Sequence, residues 1–131
     1  EYRAFGQTGI QISAIGVGCW EIGGGYGSIE ETEFIKAVNR ALDLGINWID
    51  TAAIYGVGHS EEVVGQALKR RTGSTYVFTK CSRVVDEKGM PFGRLKAESI
   101  REEIEGSLRR LQIDVIDLYE RSKVGAKVIV T

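Results

Sequence analysis

Three side chains that can take part in proton transfer, Asp50, Tyr55 and Lys80, lie at or just after predicted strand ends. Asp50 closes the apolar run 46–50, Lys80 closes the β-branched and aromatic run 75–80, and Tyr55 lies in the loop after Asp50. A lysine cation beside a phenol favours the phenolate and so makes the phenol a better proton donor at neutral pH. A carboxylate can hold that lysine in place. The structural alternative is that Asp50 caps the next turn and Lys80 is a solvated strand end.

The elements that must position these residues are strands that alternate with helices. Short apolar runs predict buried strands that end near residues 18, 50, 80 and 119, and amphipathic segments between them predict three helices. This alternation is typical of a parallel sheet with right-handed crossovers, in which the carboxyl ends of the strands meet at one face. Residues 2–13 predict an N-terminal hairpin around the turn Gln7-Thr8-Gly9.

Capping signals set the expected helix bounds. Ser28 with Glu31 three residues later forms a capping-box pattern that predicts the start of the first helix, and Gly45 predicts its end. Ser60 is expected to cap the second helix, whose first turn carries two glutamates that suit the positive end of the helix dipole.

Composition excludes several classes of function. The chain has 131 residues and a formal net charge of −1, so we expect neither nucleic-acid binding nor attraction to anionic membranes. It has no apolar run of the roughly 18 residues that a membrane span needs and no signal-peptide pattern. Two cysteines do not form a disulfide framework, which favours a cytoplasmic location.

Histidine and cysteine are too scarce to predict a metal site. His59 is the only histidine, and we expect it in an exposed loop. Cys19 and Cys81 both lie at predicted strand ends, where they either face one mouth of the fold or are two small buried or half-buried thiols.

Several long motifs resemble the aldo-keto reductase family. They are WIDTAAIYG from Trp48, SEEVVG from Ser60, VFTK ending at Lys80, and SLRRL from Ser107 followed by Asp114 and DLY ending at Tyr119. The resemblance runs from about residue 2 to residue 119. It implies a parallel (β/α)8 TIM-barrel fold whose floor is closed by an N-terminal hairpin. The chain would supply that hairpin and about four strands, the N-terminal half of the barrel.

The resemblance also implies an activity, the NADPH-dependent reduction of aldehydes or ketones to alcohols by direct hydride transfer. Tyr55 is then the general acid, Lys80 tunes its proton affinity, and Asp50 pairs with Lys80. The alternative is a non-catalytic relative that binds cofactor or acts only in assembly.

Pocket residues follow from the same resemblance. The expected cofactor-binding residues are Gly18, Cys19, Trp20 and Asp50. The expected substrate-pocket residues are Trp20, Tyr26 and Tyr55. The glycines of the loop 23–27 lack the spacing of a dinucleotide-binding G-x-G-x-x-G motif, and we interpret them as loop flexibility over a pocket.

Two departures from the family pattern limit the implied function. Ser122 stands where the family has a catalytic histidine, and Glu120 stands where it has a glutamine. The chain also has only about half of the ~250 residues typical of a (β/α)8 domain. We therefore expect one domain over residues 1–131, an incomplete barrel of a larger reductase, whose tail 121–131 departs from the pattern. Within this tail, residues 127–131 predict one more strand. It either pairs antiparallel with the fourth strand, is the remnant of a fifth strand, or does not lie next to the fourth strand at all.

A half barrel leaves parallel strands that are apolar on both faces and two open sheet edges. We expect a second copy or a C-terminal half to cover them, and we therefore predict self-association through these edges. The expected ligand partner is a small carbonyl substrate. The family's contacts to the adenosine and phosphates of NADPH lie in its second half, and no segment of this chain is assigned to them.

Overall fold

The computed structural model describes residues 1–24, 29–69 and 71–122, and their helices and strands follow the predicted alternation. Along the chain the elements are β1 (Tyr2–Ala4), β2 (Gln11–Ser13), β3 (Val17–Gly18), α1 (Glu31–Asp43), β4 (Trp48–Asp50), α2 (His59–Leu68), β5 (Tyr76–Cys81), β6 (Arg83–Val85), β7 (Pro91–Gly93), α3 (Ala97–Leu111) and β8 (Leu118–Arg121). Short 3-10 turns cover Glu21–Gly23 and Tyr55–Gly58.

Four parallel strands form the central sheet in the order β3-β4-β5-β8, which confirms the predicted hairpin followed by consecutive parallel strands. The predicted position of the last strand, ending near Tyr119, was wrong by about two residues. The strand begins at Leu118 and ends at Arg121. Just before it, the Asp117 carboxylate accepts the Val77 backbone N–H at 2.8 Å, a contact between β5 and the residue that precedes β8.

The N-terminal hairpin pairs β1 with β2 antiparallel, as predicted, and packs against the amino ends of the parallel strands. The ring of Phe5 stacks on Phe78 with centroids 5.4 Å apart, and Phe78 stacks on Trp48 at 5.3 Å. The indole N–H of Trp48 donates to the Ser13 carbonyl at 2.9 Å. Since side chains two residues apart share one face of a strand, Asp50 and Lys80 lie on this same face at its opposite end.

The first helix ends as predicted and begins later than expected. Gly45 has φ +97°, donates its N–H to Leu42 and is followed by a bond from Ile46 to Ala41, which together form a Schellman motif. The helix starts at Glu31, with Glu30 in extended conformation before it. The expected capping residue, Ser28, lies outside the described residues.

The predicted cap of the second helix was wrong. Gly58, with φ +99°, precedes helix α2, and Ser60 is a fully buried residue of its first turn. The apolar faces of the helices pack on the outer face of the sheet as their periodicity predicts. This core contains Cys19, Ile22, Val38, Leu42, Ile49, Val63, Val64, Ala67, Val77 and Leu111.

A second hairpin, formed by β6 and β7, was missed by the sequence analysis. Its turn is closed by Asp86, whose Oδ1 accepts the backbone N–H groups of Lys88 and Met90 at 2.9 and 2.8 Å. Both strands have only three residues, too few for a period-2 pattern to stand out. In the described part of the chain, no helix is long and apolar enough to span a membrane.

Candidate active site

The carboxyl ends of β4 and β5 bring Asp50 and Lys80 into contact. The ammonium of Lys80 donates to Asp50 Oδ1 at 2.6 Å and to the backbone carbonyl of Thr51 at 2.9 Å. The Lys80 side chain is only 14% exposed. A short charge-assisted bond and a carbonyl contact in this partly buried setting fix the ammonium in one position.

Tyr55 approaches the same ammonium from the loop after β4. Its ring centroid lies 5.2 Å from Lys80 Nζ, within the range of a cation–π contact. The loop is held by a backbone bond from Tyr55 to Ala52 at 3.0 Å. Asp50, Tyr55 and Lys80 therefore meet at one end of the sheet, and the ammonium contacts both the carboxylate and the phenol ring.

Close backbone packing between the loops after β3 and β4 fixes the position of Tyr55. A Cβ on Gly23 would lie 2.8 Å from the backbone nitrogen of Gly56 and from the carbonyl carbon of Tyr55. Gly56 itself has φ +60°, a left-handed conformation. Only glycine at position 23 allows the two loops to touch at this distance.

Ser60, in the first turn of α2, binds the ends of two strands at once. Its hydroxyl donates to the backbone carbonyl of Cys19, just after β3, at 2.8 Å. It lies 2.8 Å from Thr51 Oγ1, and because its own proton goes to Cys19, the Thr51 hydroxyl is the donor there. Ser60 thus holds Thr51, whose carbonyl accepts the Lys80 ammonium.

The next residue, Glu61, binds the third strand and the third helix. Its carboxylate is fully buried and accepts from Thr79 Oγ1 at 2.6 Å and from Arg110 Nε at 2.7 Å. Thr79 directly precedes Lys80. Neither Ser60 nor Glu61 was predicted to support the site. The only local signal was the pair of adjacent polar residues at the start of an apolar helix.

The end of β3 places the expected cofactor-binding residues beside Asp50. Gly18 is in register with Asp50, and a Cβ added to Gly18 would meet nothing within 4 Å. Trp20 is about half exposed. Cys19 instead points into the core, where burial foremost, with the charges of Asp50 and Glu21, raises the pKa of its thiol to about 12. Tyr26 lies outside the described residues.

Strand β8 adds a second carboxyl group. Glu120 is in register with Lys80, and burial raises its pKa. The nearby charge of Lys80 lowers that pKa and the charge of Asp50 raises it. Ser122, at the position of the expected family histidine, follows the strand and donates its backbone N–H to the Cys81 carbonyl at 2.8 Å.

His59 and Cys81 take no part in the bonds between Asp50 and Lys80. His59 is the first residue of α2 rather than a loop residue, is half-buried, and lies 3.4 Å from Glu31 Oε1. Cys81 is buried, and this burial raises the pKa of its thiol. Among residues 1–24, 29–69 and 71–122, no three His, Cys, Asp or Glu side chains are grouped as metal ligands would be.

Comparison with known proteins gives one family. The model of the aldo/keto reductase family matches residues 14–125. The chain is 43% identical over 122 residues to the aldo-keto reductase YhdN of Bacillus subtilis, which covers 92% of this chain and 37% of that protein. It is also 43% identical over 127 residues to the NADH-specific methylglyoxal reductase of Escherichia coli, covering 87% of this chain and 39% of that protein.

Solved structures agree with the sequence matches. The holo form of the aldo-keto reductase AKR11C1 from Bacillus halodurans superposes with a TM-score of 0.81 at 34% identity, over 92% of this chain and 39% of that one. These neighbours are (β/α)8 barrels, which confirms the predicted fold class. The chain thus spans less than two fifths of the length of these relatives, and its four parallel strands fit the N-terminal part of the barrel.

Proposed function

The chain belongs to the aldo/keto reductase family, an oxidoreductase family, and we propose that it supplies the proton-transfer residues of a carbonyl reductase. The substrate is a small aldehyde or ketone, which is reduced to an alcohol. The observation that carries this proposal is the position of the Lys80 ammonium, 2.6 Å from Asp50 Oδ1 and 5.2 Å from the centre of the Tyr55 ring.

Tyr55 is the proton donor in this proposal. Its hydroxyl protonates the carbonyl oxygen as that oxygen becomes an alkoxide, and the tyrosine is left as a phenolate. The neighbouring Lys80 cation favours this phenolate. Asp50 and the Thr51 carbonyl hold the cation so that it does not reorganise when the charge develops.

A nicotinamide cofactor, which we propose to be NADPH, supplies the hydride when bound. The end of β3 fits its nicotinamide end: the space beside Gly18 is open, Trp20 offers a half-exposed aromatic surface, and a third of Asp50 is exposed. The buried thiol of Cys19 leaves only its backbone for a contact. Trp20 and Tyr55 are the substrate-pocket residues we propose in the described part, together with Tyr26 from the sequence analysis.

The test is turnover of 4-nitrobenzaldehyde by the purified chain, followed by the loss of reduced cofactor absorbance with NADPH and, separately, with NADH. Tyr55→Phe is expected to lower kcat by about 10²- to 10⁴-fold, the contribution of a positioned general acid. Tyr2→Phe, at an exposed tyrosine of β1, is the matched control and should keep the wild-type kcat. Unchanged turnover in Tyr55→Phe would exclude Tyr55 as the acid.

Ser122 favours a second candidate, a non-catalytic relative that binds cofactor or acts in assembly. A serine hydroxyl is a much weaker acid than an imidazolium, so Ser122 cannot replace the family histidine as a proton donor at neutral pH. This candidate predicts that NADPH quenches tryptophan fluorescence through Trp20 while no aldehyde is reduced. Turnover by the wild-type chain would exclude it.

We further propose that the chain is cytoplasmic and self-associates through its open sheet. Two buried, unpaired cysteines support the location. Among the residues that the structure describes, β8 pairs only with β5, and this edge together with the aromatic face of Trp48 and Phe78 supports pairing with a second copy. Light scattering at several protein concentrations tests the pairing. A mass that stays that of a monomer at every concentration would contradict it.

A further inference from the structure

A cavity of about 390 Å³ lies where the carboxyl ends of β5 and β8 meet the β6–β7 hairpin. It is lined by Ser82, Arg83, Gly93, Arg94, Leu95, Arg121 and Ser122. We propose that this cavity, the arginine cavity, binds an oxyanion: the phosphate or carboxylate group of a small molecule. The proposal is independent of the proton-transfer function assigned to Tyr55.

The charges of the cavity lining carry the proposal. Three of the lining residues are arginines, Arg83, Arg94 and Arg121, and no acidic residue is among them. Arg94 is neutralised by Glu102 at 2.7 Å. Arg83 and Arg121 make no ion pair within the part of the chain that the structure describes. Like charges held together without counter-charges repel each other, and a bound anion relieves that repulsion.

The neighbouring carboxylates form no ion pair with Arg83 or Arg121 in the described part of the chain. Glu103 is the other acid beside the cavity, and its Oε2 already accepts the backbone N–H of Ser82 at 2.8 Å. Burial raises the pKa of Glu103, while the bond from the Ser82 N–H and the charge of Arg94 lower it. Two cations of the arginine cavity therefore remain for an external ligand.

Backbone bonds fix the base of the arginine cavity. Ser82 has φ +74°, a strained conformation for a residue other than glycine, and its carbonyl accepts the Arg94 N–H at 3.0 Å. On the other wall, Arg121 is in register with Cys81 and is followed by the bond from the Ser122 N–H to the Cys81 carbonyl. The positions of the arginine backbones are thus set before any ligand binds.

The chemistry of the lining selects oxyanions. A guanidinium presents parallel N–H donors that match two oxygens of a phosphate or carboxylate, and the hydroxyls of Ser82 and Ser122 add neutral donors. Ser82 and Ser122 follow the carboxyl ends of β5 and β8, so the cavity lies at the same end of the sheet as the strand end that carries Lys80.

The experiment titrates the chain with inorganic phosphate, and separately with acetate, at neutral pH and constant ionic strength. Binding is followed by NMR of the backbone amides and of the arginine Nε–H groups. Saturable shifts confined to Ser82, Arg83, Arg94, Arg121 and Ser122 are expected. Tighter binding of phosphate assigns a phosphorylated ligand, and equal or tighter binding of acetate assigns a carboxylate.

Two variants decide the outcome. The double variant Arg83→Gln/Arg121→Gln should bind the preferred anion at least about tenfold more weakly, because two charge-assisted hydrogen bonds are lost. Arg109→Gln, at an exposed arginine of α3, removes the same charge elsewhere and should bind like the wild type. The proposal is overturned by non-saturable shifts spread over all arginines. It is also overturned if the folded double variant, checked by its amide spectrum, binds as tightly as the wild type.

Discussion

Replacing Glu61 with glutamine is expected to destabilise the chain by about 3 kcal/mol, although the substitution keeps the shape of the side chain. Glu61 is fully buried and accepts one bond from Thr79 and one from Arg110. If the amide oxygen keeps the bond from Thr79, the amide nitrogen faces the Arg110 donor, and that charge-assisted bond is lost. Removing one partner of a buried ion pair typically costs 3–5 kcal/mol, and the 29% exposure of Arg110 places this pair at the low end.

The assay is urea unfolding followed by far-UV circular dichroism, applied to a double-mutant cycle. Its members are the wild type, Glu61→Gln, Arg110→Met and the double variant. Because each single variant leaves the other group without its partner, the losses should not add. We expect a coupling energy of about 1–3 kcal/mol between the two positions.

An exposed pair on the same helix α3 is the matched control. Arg109 and Glu105 are 3.9 Å apart and 72% and 67% exposed, so Glu105→Gln should change stability by less than about 0.5 kcal/mol. If Glu61→Gln costs no more than Glu105→Gln, or if the cycle shows additive losses, the reasoning from burial is refuted.

Three further perturbations test other parts of the structure. Gly23→Ala should lower the melting temperature and kcat together, since its Cβ would lie 2.8 Å from neighbouring backbone; alanine at Gly73, where a Cβ has open space, should change neither. Burial raises the pKa of the Cys19 thiol to about 12 and also raises that of Cys81, so a disulfide reagent should react with the native chain at least about tenfold more slowly than with the chain in urea. Equal rates would contradict this. Burial raises the pKa of Glu120, so the folded state holds its proton more tightly than the unfolded state. Stability should therefore fall as pH rises from the unfolded pKa through the folded pKa, and E120Q should flatten that slope in unfolding measurements across the acidic range.

The sequence was sufficient for the parallel sheet because apolar runs and helical periodicity are local signals. Gly45 ended its helix as predicted because a left-handed residue is required there, and glycine adopts this conformation without strain. The end of β8 was misplaced by two residues because its extent depends on pairing with β5, some forty residues earlier in the chain. The β6–β7 hairpin was missed because three-residue strands carry no period.

The candidate site, like the fold, was predictable only where the signal is local in the sequence. Asp50 and Lys80 could be placed together because both close neighbouring parallel strands. The bond between Glu61 and Arg110 could not, because 49 residues separate them and neither residue's type is unusual on the surface of a helix. Only the packed fold shows that this glutamate has no access to water.

Helix α2 explains why the supporting residues and the candidate catalytic residues are so closely linked. Ser60 and Glu61 are consecutive and about 100° apart around the helix, so their side chains bind different strands from the same turn. Ser60 holds the ends of β3 and β4, and Glu61 holds β5 through Thr79. A shift of this turn would therefore move all three strand ends that surround the Lys80 ammonium. The distance between Lys80 and Asp50 thus depends on buried residues that touch neither side chain, and substitutions at Ser60 or Glu61 should affect proton transfer as well as stability.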